Sequence, residues 1–495
     1  MTFILVAPIV IYIFAAALGM VFPGRKFIQF TLCALASVLS IFFSSVIINK
    51  VITEGTMVMA LGSLRAPFAI MLVADRFSAI MVLACNLVGF FCILYSYFDL
   101  DSNKMRHGFY AMFSAILVGA NGIFLTGDLF NLYVWFEVLL ISSFCLLTLG
   151  NGRRQLKGAL PYVFINLFAS TILLLCIGSL YGITGSLNMA DISSVLGELK
   201  SRGALLSVAI LFMLTLGIKA AVVPFFFWLP ISYHTPMVSV TAIFSALLTK
   251  AAVYSLIRVF TLFFAPEMSE LREILLTVAA ITMLVGVLAA AGQGDFKRIL
   301  SFHIISQIGY MMMGLAFFTP YALAGTALFI VHNIFIKSSL FLISGIAEKV
   351  CGSSLLKRQG GLYQSHFSLS LVFLLCAFSL TGLPPLSGFW GKLLLAQAGL
   401  KLEEYFLVAI SLFVSLITLF SMTKIWVASF WKNKVHDEDG PISALALLAI
   451  YALCFICLAP VLLAGPILEY FLKLGEQLMQ PALYREAFGI LGGHR

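Results

Sequence analysis

Charge is what this sequence has least of. Only 10% of its 495 residues are Asp, Glu, Lys or Arg. A soluble chain of that length would carry about a quarter, so a water-soluble globule is excluded. The net charge of +9 is no nucleic-acid footprint, because the bases are scattered singly through loops. There is no P-loop, and no G-x-G-x-x-G between a strand and a helix. Nothing therefore points to nucleotide, flavin or iron–sulfur binding, and no cofactor is expected. The one C-x-x-C, Cys454 and Cys457, sits inside an apolar run without a second pair or a nearby His. It reads as packing, and no metal site is expected. The N-terminus has no basic n-region and is apolar for about twenty residues, which reads as a first membrane span rather than a cleaved signal.

Apolar residues are what is there: 62% of the chain, with a mean hydropathy of +1.08. Runs long enough to cross a bilayer occur near 3–23, 27–49, 76–98, 108–126, 129–149, 159–182, 204–229, 238–263, 272–292, 300–318, 321–346, 367–398, 405–430 and 442–465. The expected fold is an all-α polytopic membrane protein of about fourteen transmembrane helices. Loop charge supports the count. Loops after odd spans hold Arg25, Lys26, Lys104, Arg106, Arg153, Arg154, Lys157, Lys297, Arg298, Lys349, Lys357, Arg358, Lys432 and Lys434. Loops after even spans hold only Lys50, Arg65, Lys200, Arg202, Arg272 and Lys401. The positive-inside bias then puts odd-span loops in the cytoplasm and both termini outside. The stretch 466–495 mixes charges with Leu, Met and Phe, as an amphipathic interfacial helix or a loose tail would.

Two spans carry breaks. In span seven, GIKAAVVPFFFWLP sets Lys219 five residues before Pro224, and the missing proline N–H is expected to free the carbonyl of Ala220. In span twelve, TGLPPLSGFWGK sets Pro384 and Pro385 before Lys392. Broken helices five spans apart predict two units in opposite orientation, as in transporters with inverted repeats; two unrelated kinks are the alternative. The expected division is 1–98 for spans one to three, 99–263 for the first five-helix unit, 264–431 for the second, and 432–495 for span fourteen and the tail.

Ionisable residues at membrane depth are rare and costly, about 3 kcal/mol for a lysine on insertion scales, so each is a candidate for function. Glu137, in FNLYVWFEVLL, is the one acid at mid-depth. It must be neutral or paired, and the simplest partner is Lys219. Approach of the pair favours the charged lysine and separation favours the neutral amine, which makes a proton-release switch; a purely structural ion pair is the bland alternative. Lys250, Lys337 and Lys392 lie at depth in other spans, with Lys424 a further candidate. His332 stands five residues before Lys337, so the two point to different sides of their helix and suit a water-bridged step. His234 and His303, at predicted span ends, are candidates for proton intake. Asp75 with Arg76, and Asp128, also at span ends, read as interfacial, with a role in ion access as the alternative.

FNLYVWFE, GIKAAVVPFFFWLPISYHTP, SALLTKAAVY, HNIFIKSSLFLISG and TGLPPLSGFWGK resemble the antiporter-like membrane subunits shared by Mrp-type Na⁺/H⁺ antiporters, respiratory complex I and membrane-bound hydrogenases. The resemblance covers spans two to fourteen. Within that family, the length and wording are most similar to D-type subunits of bacterial Mrp antiporters. It implies fourteen helices with two inverted five-helix units. It also implies a proton path along Glu137, Lys219, Lys250, His332, Lys337 and Lys392, and work in a hetero-oligomer with other membrane subunits, H⁺ and Na⁺. The expected function is proton translocation in exchange for Na⁺ efflux by the complex, with no enzymatic step of its own and no nucleic-acid partner. The alternative is the non-redox pump subunit of a complex I-type oxidoreductase or membrane-bound hydrogenase. A carrier for an organic solute would need a midplane cavity with oriented polar groups rather than a row of lysines.

Overall fold

A computed structural model describes residues 2–61, 69–100, 108–150, 152–199, 203–433 and 442–492. The loop bases Arg65, Lys104, Arg106, Lys200, Arg202 and Lys434 lie outside the described residues.

Each of the fourteen apolar runs is helical, as hydrocarbon requires of a chain that must bond its own N–H and C=O groups. Spans one to six are Ala7–Val21, Lys26–Glu54, Arg76–Asp99, Phe109–Leu125, Leu129–Thr148 and Arg153–Thr184. Span seven is interrupted, as Gly203–Ala220 and Trp228–Ser232. Spans eight to eleven are Val238–Phe263, Met268–Gly292, Phe296–Phe317 and Pro320–Cys351. Span twelve is interrupted as Phe367–Thr381 and Ser387–Lys401. Span thirteen, Tyr405–Ile425, ends in a π turn, and span fourteen is Ala444–Leu462. Spans eight, ten and eleven form the centre, where even the most apolar stretch is at least 94% buried within the chain.

The two five-helix units repeat in detail. Asp128 caps span five by accepting the N–H of Asn131 (2.7 Å), and Asp295 caps span ten by accepting that of Arg298 (3.0 Å). Each Asp is bridged in antiparallel fashion to a residue sixty positions on, Asp128 to Asn188 and Asp295 to Leu355. The same two backbone bonds close each bridge: Leu129 N to Leu187 O and Met189 N to Gly127 O, against Phe296 N to Ser354 O and Leu356 N to Gly294 O, at 2.9–3.0 Å. A Cβ on Gly119 of span four would press on the backbone of Leu139 in span five; one on Gly286 of span nine would press on Ser306 of span ten. Small residues let both helix pairs approach closely. The first bridge lies between even-span loops and the second between odd-span loops, so the units are inverted.

Three features go beyond or depart from the sequence reading, in which the tail is an interfacial helix or a loose end. The loop between spans two and three holds an antiparallel hairpin, Met57–Leu61 with Ile70–Ala74, in register Met57 to Ala74. The tail forms two helices, Ala464–Leu478 and Pro481–Gly492. They dock on the protein: Tyr470 Oη donates to Arg76 O (2.7 Å), and Gln477 bonds both the Arg76 N–H and the Thr56 hydroxyl. Asp75, expected at the interface, is buried. It takes a bidentate bond from Arg258 of span eight at 2.6 and 2.8 Å and caps span three through the Ser78 N–H. Burial pushes the Asp75 carboxyl up, but Arg258 and the Ser78 bonds outweigh it and hold the group below the usual carboxylate range. The Arg258 guanidinium also lies 5.5 Å over the ring of Tyr484, so the pair ties spans three and eight to the tail.

Candidate functional site at the two helix breaks

Both breaks are made by one backbone device. After Ala220, the N–H of Ala221 bonds Ile218 O and that of Val222 bonds Gly217 O. After Thr381, the N–H of Gly382 bonds Ser379 O and that of Leu383 bonds Phe378 O. These are Schellman closures, whose first outside residue takes a left-handed conformation, here Ala221 at φ 64° and Gly382 at φ 91°. The helices thus close three or four residues before the first proline that follows each of them. Ala220 is already the last helical residue, and Pro224, Pro384 and Pro385 lie in the turns that follow.

A helix C-terminus presents orphan carbonyls and the negative end of its dipole, where a cation is favoured. Each break has such a cation. Lys219 sits in the last turn of its half-helix, 4% exposed. Its Nζ donates to Ser170 Oγ of span six at 2.8 Å and lies 5.1 Å over the ring of Phe136. Lys392 reaches back from the far side of its break. Its Nζ donates to Thr381 O (2.9 Å), Leu380 O (3.3 Å) and Ser415 Oγ of span thirteen (2.9 Å), and lies 4.6 Å over Tyr310.

Glu137 is half-buried on span five with one carboxylate oxygen enclosed and unbonded. It is within electrostatic reach of Lys219 but makes no ion pair with it; Ser170 holds the amine instead. A narrow cavity lined by Phe136, Tyr162, Asn166, Lys219, Trp228 and Leu248 joins this site to span eight. Two residues on in span eight, Lys250 donates to Ser245 O of its own helix at 2.5 Å.

The remaining ionisable residues gather around span eleven. Lys337 is fully enclosed, its Nζ has no hydrogen-bond partner, and Lys250 and Lys392 are its electrostatic neighbours. His332 bonds Ser387 through Nδ1 (2.8 Å), and Ser387 bonds Ser379 (3.0 Å). His303 belongs to this group and not to a membrane surface. It is fully buried, bonds Ser421 of span thirteen at 2.6 Å, and has Lys337 and Lys392 as neighbours. His234, by contrast, follows the short half-helix Trp228–Ser232, donates from Nδ1 to Pro230 O (2.8 Å), and faces Arg298 at 3.5 Å through Nε2. Lys424 is not in the row; it caps span nine through the carbonyls of Ala291 and Gln293.

Sequence reasoning missed Ser170, Tyr310, Ser415 and Arg258. Hydroxyls in apolar helices are too common to single out. Arg258 was legible as a charge within span eight. Among the described residues no three His, Cys, Asp or Glu converge as metal ligands.

The comparisons agree with one another. The family model described as "NADH:quinone oxidoreductase/Mrp antiporter, TM" matches residues 126–418. The chain is 39% identical to the D-type subunit of the Na⁺/H⁺ antiporter of Alkalihalophilus pseudofirmus, covering 98% of this chain and 99% of that one. It is 33% identical to the D-type subunit of the Na⁺/H⁺ antiporter of Bacillus subtilis, over 97% and 98%. Its fold matches a chain of the Mrp complex from Dietzia at a TM-score of 0.91 and 27% identity, over 99% and 100%. It matches a chain of Thermus thermophilus respiratory complex I at 0.79, over 97% and 99%; at 22% identity that likeness is one of fold.

Proposed function

The chain belongs to the NADH:quinone oxidoreductase/Mrp antiporter family of membrane subunits, and from that premise we propose that it carries protons within a multi-subunit Na⁺/H⁺ antiporter. The observation that carries this reading is the set of buried amines and imidazoles around the two helix breaks, with Glu137 beside Lys219, and Lys250 and Lys392 both neighbours of Lys337. His303 and His332 stand with Lys392 at the second break. On the same spans eight, ten and eleven are buried polar atoms without a hydrogen-bond partner: Thr249 Oγ1, Ser306 Oγ, Lys337 Nζ, His332 Nε2 and Asn333 Oδ1. In this reading water would satisfy these atoms and link the titrating groups. Each lysine accepts a proton when its neighbour is neutral and yields it when its neighbour is charged.

Na⁺ prefers oxygen ligands, and the deep polar set is dominated by amines, so this chain handles the proton and its partners handle Na⁺. It sits in the cell membrane with odd-span loops in the cytoplasm and both termini outside. Units 99–263 and 264–431 each carry one half of the path, flanked by 1–98 and 432–495. The identity to named antiporter subunits over nearly the full length favours this reading over a redox-driven pump.

The test uses membrane vesicles holding the assembled complex. Glu137→Ala or Lys219→Ala is expected to abolish Na⁺-dependent collapse of a pH gradient while leaving assembly intact. Full activity in either variant would overturn the proposal.

A further inference from the structure

A cleft of about 620 Å³ opens where span six, the loop after the first break and span ten meet. Arg153, Lys157, His234, Thr235 and Arg298 line it, together with Ile231. Three strong cations thus face one volume, and none has an ion-pair partner among the described residues. The nearest acid in sequence, Asp295, is committed elsewhere, to the Arg298 N–H and the Ser354 hydroxyl. The walls are built rather than loose. Ser232 Oγ donates to Gly158 O at 2.8 Å, and Thr235 Oγ1 donates to Ser232 O at 2.8 Å. The cleft also lies at the start of span six, whose unbonded N–H groups favour an anion.

From that cleft an apolar stripe runs along span six: Leu156, Leu160 and Phe164, at four-residue steps on one face, are 42%, 57% and 71% exposed. A cationic cleft at one end of a membrane-facing apolar stripe matches an amphiphile with an anionic head. We propose that the cleft binds the phosphate of an anionic phospholipid, with an acyl chain along Leu156, Leu160 and Phe164. The site draws Arg153 and Lys157 from the first five-helix unit and Arg298 from the second, so the headgroup relieves cation–cation repulsion and ties the units together beside the first break. The inference stands on the cleft itself, whatever ion the complex exchanges.

The test is native mass spectrometry of the delipidated assembled complex, titrated with phosphatidylglycerol against phosphatidylcholine. One phosphatidylglycerol is expected to bind in preference. Each cation near a membrane surface contributes about a fivefold factor in affinity. Arg298→Gln should therefore weaken binding about fivefold, and Arg153→Gln/Lys157→Gln/Arg298→Gln about a hundredfold, while Lys401→Gln on the opposite face changes nothing. If the triple variant fails to assemble, the three single variants carry the test. In a second arm, inorganic phosphate replaces the lipid. Binding of phosphate that responds to the same substitutions, without preference for phosphatidylglycerol, would assign the cleft to a soluble phosphate and overturn the lipid. Equal retention of both lipids by wild type and triple variant would overturn the oxyanion site. So would carbodiimide crosslinking of Lys157 to a carboxylate of a partner subunit or of Asp437, Glu438 or Asp439.

Discussion

The two helix breaks share a backbone and differ in how they hold their lysine. At the first, Lys219 comes from the half-helix that is ending and leans on one hydroxyl, Ser170. At the second, Lys392 comes from the half-helix that is starting and returns to two carbonyls of the helix that has ended, with Ser415 as a third partner. Counting back from each closure, Leu380 occupies the place of Lys219. The two breaks therefore share a nearby lysine but not its position in the repeat, and only Lys392 rests on the carbonyls of the helix that has ended. The surroundings differ as well. The first break has an acid nearby, Glu137, and the second has His303, His332 and Lys337. On the proposed function, the first break couples a lysine to a carboxylate, and the second passes the proton among bases.

The largest expected effect removes the shared feature. Lys219→Arg and Lys392→Arg keep a positive charge beside each break, but arginine does not release its proton. Both should assemble and both should lose proton transport in vesicles; transport in either one would separate that break from the path. Next is the latch outside both breaks. Asp75→Asn strands Arg258 in a buried site and should cost about 3–5 kcal/mol, read as a lower unfolding temperature of the complex. Asp75→Asn with Arg258→Met should recover much of that. Because the Asp75 carboxyl is held low, its contribution is fully present above the ordinary carboxylate range near 4 and is lost only as pH falls below it. The stability difference between wild type and Asp75→Asn should therefore be flat from neutral to alkaline pH, and a difference that grew across that range would refute the assignment.

Ser170→Ala and Ser415→Ala sharpen the contrast directly. Lys219 would lose its one side-chain hydrogen bond, a contact to a charged group of about 1.5–3 kcal/mol, whereas Lys392 would keep two carbonyls. The Ser170 variant should slow transport more; equal slowing would show that the two lysines are held alike. Smallest are the closure residues. Gly382→Ala adds a Cβ at φ 91° that would sit 2.8 Å from the Lys392 side chain, and should cost about 1–2 kcal/mol of stability. Ala221→Gly removes a strained left-handed alanine and should raise stability by up to about 1 kcal/mol. Both are read by thermal unfolding.

The spans were legible because each is an apolar run bounded by loop charge, and the breaks because lysine and proline are so rare inside such runs. Who holds whom was less legible. Glu137 and Lys219 are the conspicuous opposite charges, yet a serine in span six takes the amine. His303 sits near the predicted start of its span, yet the structure buries it against Ser421, with Lys337 and Lys392 as electrostatic neighbours. The repeat itself was hidden in plain residues. Asn166 and Asn333 each bond the carbonyl four residues back, at 2.8 Å, and each lies twenty-two positions before its bridge partner. Four positions after these asparagines stand Ser170 and Lys337. Only the bridges align the two stretches and reveal that a serine in one unit answers to a lysine in the other.

By itself, the sequence determined what the bilayer enforces: helices wherever some twenty apolar residues run together, alternating loop charge, and a short set of buried ionisable residues too costly to be incidental. The tertiary structure alone decided the hairpin, the docking of the tail, the partners of each lysine and the way each break is closed. Membrane insertion is a property of single segments and can be read segment by segment. A hydrogen bond between Lys219 and Ser170, or between Arg258 and Asp75, depends on which helix faces which, and that follows only from the packing of all the spans together.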